Sequence, residues 1–212
     1  MAPCRARGES DLFRILRIAV LAALLALATG AQAAPKSAAK PSAATPPPAL
    51  TLVYGDDHVF GVVAPAGWVV DDSSGLGSRI RVVLYPRGQK WSTAKTVMYV
   101  NPLHQKGSDP KSLGEMIDRD VASFRRANPR GAVTAAPMIR TLKGQTAQVR
   151  YFSPTGGQPA EAVAYIPEEN LVMLLVLSSR EPGGFRAAMP AFQEFVRHYQ
   201  FVGGDVQTPT AR

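Results

Sequence analysis

The chain has 212 residues, 46% of them apolar, with 24 Lys and Arg against 16 Asp and Glu and a formal charge of +8. Its single cysteine, Cys4, excludes a disulfide framework and a thiolate metal centre. No G-x-S-x-G, H-E-x-x-H or P-loop occurs, which excludes the best-marked hydrolase, metalloprotease and nucleotide-binding classes.

Residues 1–33 read as a secretory signal. Arg5, Arg7, Arg14 and Arg17 form a positive n-region, and Ile18 to Ala28 is a run of eleven apolar residues. Ala31-Gln32-Ala33 then supplies the small-x-small pattern of a cleavage site. Eleven residues fall well short of the roughly 20 needed to span a bilayer, so the run is an h-region and no transmembrane segment is expected after cleavage. Cys4 leaves with the signal, and a chain without thiols suits an oxidising compartment. The 24 cations less four, against the 16 acids less two, leave a mature charge of +6.

Residues 34–49 are almost wholly Ala, Pro, Ser, Thr and Lys. They have no apolar periodicity and read as a disordered linker. Residues 50–203 suffice for a single domain that needs no staples, and residues 204–212 form a polar tail. An exported protein does not meet nucleic acid. The partners that suit its basic charge are an anionic surface or another envelope protein, set against the simpler reading of a surface kept soluble by its charge.

Within the domain, Ala64-Pro65-Ala66-Gly67 suits a type I turn that lets a hairpin return, with His58 to Val63 leading in and Trp68 to Val70 leading out. Trp68 is placed to seal the open end of the core. Its alternative is an aromatic contact for a ligand. Asp71 to Gly75 breaks the strand, and Ser73 to Ser78 reads as a mobile loop. Arg79 to Tyr85 alternates Ile80, Val82 and Leu84 against Arg79 and Arg81, as a strand with one wet face would. Thr96 to Val100 is a further strand.

Ser112 and Glu115 form a capping box ahead of a helix carrying Leu113, Met116, Ile117, Val121 and Phe124, ended by Asn128-Pro129. Met138 to Leu142 and Thr146 to Phe152 flank a glycine turn. Ala160 to Ile166 and Leu171 to Ser178 flank Glu168-Glu169-Asn170. Leu171 to Leu177 is apolar at every position, which predicts a central strand covered on both faces. A second helix over Ala187 to Tyr199 keeps Pro190 in its first turn, where the missing N–H is not needed. Hairpins with helices outside them predict an α+β fold, a mainly antiparallel sheet sandwiched by two helices.

The phrase Phe60-Gly61-Val62-Val63-Ala64-Pro65-Ala66-Gly67-Trp68 resembles the opening of the PsbP and DcrB-like superfamily. The closing run Ala191 to Phe201, with Phe192, Phe195, Val196 and Tyr199, resembles that group's last helix running into a short strand. The resemblance covers about Leu50 to Val202 and rests on packing motifs. It implies an α/β/α sandwich of the kind used by exported, mostly non-enzymatic accessory or binding proteins. It carries over no site residue.

Candidate chemistry is sparse. Ser92-Thr93-Ala94-Lys95 matches S-x-x-K, but that chemistry needs the Ser at a helix N-terminus and a K-T-G partner motif, and Lys95-Thr96 is followed by Val97. Asp56-Asp57-His58 offers metal-type ligands, yet neighbours on an extending chain point in alternate directions, so two at most share an ion. His104 has no acid near it in sequence, and His198 falls in the last turn of a helix. Arg119, Arg125, Arg126 and Arg130 cluster along and beyond the first helix. They read either as a solvated face balanced by Glu115, Asp118 and Asp120 or as a site for an anionic partner.

The expectation is an exported, periplasmic or secreted, non-catalytic binding or accessory protein of the cell envelope, with a periplasmic hydrolase as the rival. No catalytic residue, cofactor or metal is assigned. Arg119, Arg125 and Arg126 are the candidate partner-binding residues and Trp68 the candidate aromatic contact. Processing should leave Ala34, or a residue within one or two of it, at the N-terminus. The intact mass of protein recovered from the periplasm checks this, and a full-length, membrane-bound product would refute it.

Overall fold

The computed structural model describes residues 49–104, 112–169 and 171–203. The chain divides into two units, Met1–Pro47 and Pro48–Arg212, and every described residue lies in the second. The expected signal, the tail and all of the linker but Ala49 fall outside the described residues.

Among the described residues, ten strands and two α-helices follow in chain order. A three-stranded sheet joins β1 (Leu50–Tyr54), β2 (Val59–Val63) and β10 (Gln200–Gly203) in the order β1-β2-β10. A seven-stranded sheet contains β3 (Trp68–Asp71), β4 (Val82–Pro86), β5 (Thr96–His104), β6 (Ala132–Arg140), β7 (Thr146–Ser153), β8 (Ala160–Pro167) and β9 (Leu171–Ser179). Its order is β3-β4-β5-β9-β8-β7-β6, so β9 is the middle strand. All pairings are antiparallel. Helix α1 (Leu113–Ala127) lies between β5 and β6 in sequence, and α2 (Pro182–His198) between β9 and β10.

Alternation along β9 builds the layers. Leu171, Met173, Leu175 and Leu177 face a core shared with Phe192, Phe195 and Val196 of α2 and with Phe60 and Val62 of β2. Val172 and Val176 face the opposite way, with Val163 and Tyr165 of β8, onto Met116, Ile117 and Phe124 of α1. One helix therefore covers each face of the large sheet. This is the mixed α+β sandwich expected from the hairpin pattern.

The capping box forms as the sequence specifies. Glu115 N–H donates to Ser112 Oγ, Ser112 N–H donates to the Glu115 carboxylate, and both bonds are 3.2 Å. At the far end of the domain, Tyr199 and Gln145 both donate to Glu168, at 3.0 and 2.6 Å, tying α2 to the β6–β7 and β8–β9 turns. Burial raises the Glu168 carboxyl above its ordinary range against the pull of these two bonds, and burial together with the Glu168 charge raises Tyr199.

Several boundaries differ from expectation. The Pro65 corner is not a hairpin, because β2 and β3 lie in different sheets and the chain crosses from one to the other there. Trp68 N–H donates to the Pro65 carbonyl at 3.0 Å, so the turn is Pro65 to Trp68. Gly67 sits at its third position with φ +81°, as a type II turn requires. Strand β1 was not foreseen in Leu50 to Tyr54. The expected strand at Arg79 starts only at Val82, and Val82, Val83 and Leu84 are all buried, so no face there is wet.

The Asp71 segment is a hydrogen-bonded turn and not a mobile loop. Asp71 accepts from the N–H and the hydroxyl of both Ser73 and Ser74, and a 3-10 turn follows at Leu76–Ser78. Burial pushes the Asp71 carboxyl up, but these bonds outweigh it and hold the group well below the ordinary range.

Strand β6 begins at Ala132, six residues before the expected start at Met138. It is an edge strand whose register shifts between Ala136 and Ile139, the kind of irregularity that accommodates Pro137. Helix α2 begins at Pro182, which places Pro190 in its interior, on the exposed side. The helix starts early because Pro182 suits its first position.

Phe192, fully buried between α2 and the sheets, should cost about 3–5 kcal/mol when replaced by Ala. Ser112→Ala, which removes only a cap, should cost about 1 kcal/mol. Denaturant unfolding of both variants checks the contrast; equal losses would show that α2 does not organise the core.

Candidate functional site

Among the described residues three features present chemistry. The first is a cleft of about 400 Å³ at the junction of β3, β5 and α2. Trp68, first residue of β3 and paired across the ladder with Pro86, forms one wall. Its ring is 8% exposed and belongs to the main core, so it both seals that core and lines the cleft. Thr96 and Ser179 share a buried hydroxyl pair at 2.8 Å. The first turn of α2 lies directly on them, because a Cβ on Gly184 would come within 2.5 Å of Thr96 Oγ1 and 2.8 Å of Ser179 Oγ. Only glycine allows that approach. Lys95 and Glu181 pair at 3.2 Å beside this floor, both well exposed. The cleft thus offers an indole wall and an exposed ion pair, a surface suited to binding.

Ser92 and Lys95, which match S-x-x-K in sequence, do not share a pocket. Ser92 lines a separate hollow with Ser74, Tyr85, Lys90 and Trp91. The Lys90 carbonyl accepts from Thr93 and Ala94 N–H, so the segment is a turn where the S-x-x-K chemistry needs a helix.

The second feature joins two candidates that sequence reasoning kept apart. The hairpin between β1 and β2 is closed by Gly55 N–H donating to the His58 carbonyl at 2.8 Å, and its tip folds Asp57 back against His58. His58 Nδ1 lies 2.9 Å from Asp57 Oδ1. Strand β5 does not stop at Val100. It continues to His104 opposite Leu171 of β9, which brings His104 Nδ1 to 3.4 Å from Asp57 Oδ2. His104 therefore has the acid that its sequence neighbourhood lacks. One ligand atom from each of Asp57, His58 and His104 lies within 4.8 Å of the other two.

The hydrogen bond to His58 holds the Asp57 carboxyl below the ordinary carboxylate range; slight burial opposes it, and the charges of His104 and His58 reinforce it. His58 is buried, stacked on Phe60 at 5.9 Å between ring centres, and its Nε2 has no hydrogen-bond partner among the described residues. The signal that could have revealed this group is the length of β9: nine residues of strand demand an equally long partner, which carries β5 to His104.

The third feature is the basic end of α1. Arg125 and Arg126 are exposed in its last turn, off the buried face of Met116, Ile117 and Phe124. Arg119 differs from expectation, being half-buried and engaged with other groups of the fold. Arg130 is exposed in the turn that follows. His198 lies in the last turn of α2, as expected, with Nδ1 2.9 Å from the Glu194 carbonyl.

No family model matches the chain, and no curated protein matches it. Solved structures do. The chain is similar to the solution structure of cyanobacterial PsbP (CyanoP) from Synechocystis sp. PCC 6803, at 12% identity and a TM-score of 0.48, over 76% of this chain and 97% of that one. It is also similar to the crystal structure of a protein of unknown function, PA94 from Pseudomonas aeruginosa, at 13% identity and a TM-score of 0.38, over 76% and 99%. Both likenesses are of fold, and no residue role is taken from either.

Trp68→Ala should destabilise the protein by about 3 kcal/mol or more, since it opens the core beneath the cleft. Trp68→Phe should recover part of that loss. Thermal melts of both variants check this, and an unchanged melting temperature for Trp68→Ala would mark the indole as a surface platform only.

Proposed function

We propose that the chain is an exported, non-catalytic binding or accessory protein of the cell envelope, docking on an anionic surface through the basic end of α1. The observation that carries the reading is the exposure of Arg125 and Arg126 beside a buried apolar face, where both are free of any packing duty. Net charge supports it, since the mature sequence bears +6, the 24 cations less four against the 16 acids less two. Export rests on the pattern of residues 1–33. Among the described residues no helix is long and apolar enough to cross a membrane. The Trp68 cleft is the second contact surface in this reading. The hydrolase alternative loses its nucleophile pair, because Lys95 is held by Glu181 and not by Ser92.

The same arginines sit at the negative end of the helix dipole, which alone would justify cations there. Charge reversal separates the two roles. Arg125→Glu with Arg126→Glu should leave the fold intact and release the protein from anionic vesicles, and wild-type binding should itself fade between low and moderate salt. Sedimentation with phosphatidylglycerol vesicles at two salt concentrations measures both. Equal binding by wild type and variant would reduce the arginines to a helix-end charge.

A further inference from the structure

We infer that Asp57, His58 and His104 form a binding site for a divalent first-row transition ion, separate from the Trp68 cleft and the basic helix end. Two imidazoles and one carboxylate are the donor set that such ions favour, whereas Mg²⁺ and Ca²⁺ take oxygen ligands. A tetrahedral ion of this class holds its ligand atoms about 3.4 Å apart, from bond lengths of about 2.0–2.2 Å. The three residues bracket that spacing: His58 Nδ1 stands 2.9 Å from Asp57 Oδ1, His104 Nδ1 stands 3.4 Å from the other oxygen, Oδ2, and one ligand atom from each residue can be taken with no pair more than 4.8 Å apart.

Folding needs alone do not account for His58. It is 4% exposed, its ring presses on Gly55 so closely that a Cβ there would sit 2.4 Å from Nε2, and that nitrogen has no partner among the described residues. A buried imidazole with an unmet nitrogen costs stability that an apolar residue would not. Ligand duty through Nδ1, the nitrogen turned toward Asp57, gives the ring a reason to be there. The neighbouring acid is already committed, since Asp56 pairs with Arg81, which leaves Asp57 to face the histidines.

Access is also built in. The side chains of Asp57 and His104 are 62% and 36% exposed while His58 forms the floor, so an ion would enter from solvent and keep water at its remaining position. The site spans the two sheets, with two ligands from the β1–β2 hairpin and one from the end of β5. A bound ion would clamp the small sheet to the large one.

The test is calorimetric titration of the purified, tag-free chain with Zn²⁺, alongside its His104→Ala and Asp57→Asn variants. Both altered side chains are partly exposed, so thermal melts should show folded proteins. Expected are one Zn²⁺ per chain, a rise in melting temperature with Zn²⁺, no competition from Mg²⁺, and a loss of more than about tenfold in affinity in each variant. Absence of saturable one-to-one binding, Zn²⁺ binding by either variant at wild-type strength, or displacement by equimolar Mg²⁺ would overturn the assignment.

Discussion

Strand β9 imposes the constraint on which the rest depends. Seven consecutive apolar residues, Leu171 to Leu177, leave it no face that water can occupy. Each fully buried Leu or Val stabilises by roughly 1.5–3 kcal/mol, so exposing either face would forfeit several such contributions at once. The strand must therefore be central, and each side must carry a helix. Both requirements are met, with α2 on the side of Leu175 and α1 on the side of Val176.

The Pro65 corner then decides where the surface opens. A hairpin there would have stacked β3 on β2 and closed the core with local contacts. Because the chain leaves one sheet for the other, Trp68 meets α2 and the start of β5 instead, and the cleft exists at that seam. The type II turn makes the crossing possible, since Gly67 takes a φ of +81° that a side chain would resist.

Polar groups divide between those that serve the fold and those that do not. Asp71 closes its own turn, Glu168 ties turns to a helix, and Tyr165 donates to Asp120 to hold α1 on the sheet. Each has its partners within the architecture. Among the described residues His58 is the exception, a buried ring left with one unmet nitrogen beside an exposed carboxylate and a second histidine. That contrast separates a site from a scaffold more sharply than any motif in the chain.

What the sequence determined by itself is what depends on near neighbours along the chain. The α1 capping box, the apolar spacing of both helices, the β7–β8–β9 strands and the central place of β9 rest on residues within a turn or a strand of one another. The α+β class was legible for that reason. The ends of β5 and β6, the interior position of Pro190 and the sheet crossing at Pro65 were not, because partner strands and α2 packing set them from far along the chain. The same holds for the sites. Trp68 and the α1 arginines could be singled out from local pattern, though the half-buried setting of Arg119 could not. The Asp57–His58–His104 group was beyond any local pattern, since its two histidines lie 46 positions apart. Only the pairing of β5 with β9, and the fold of the β1–β2 tip, bring their nitrogens to one carboxylate.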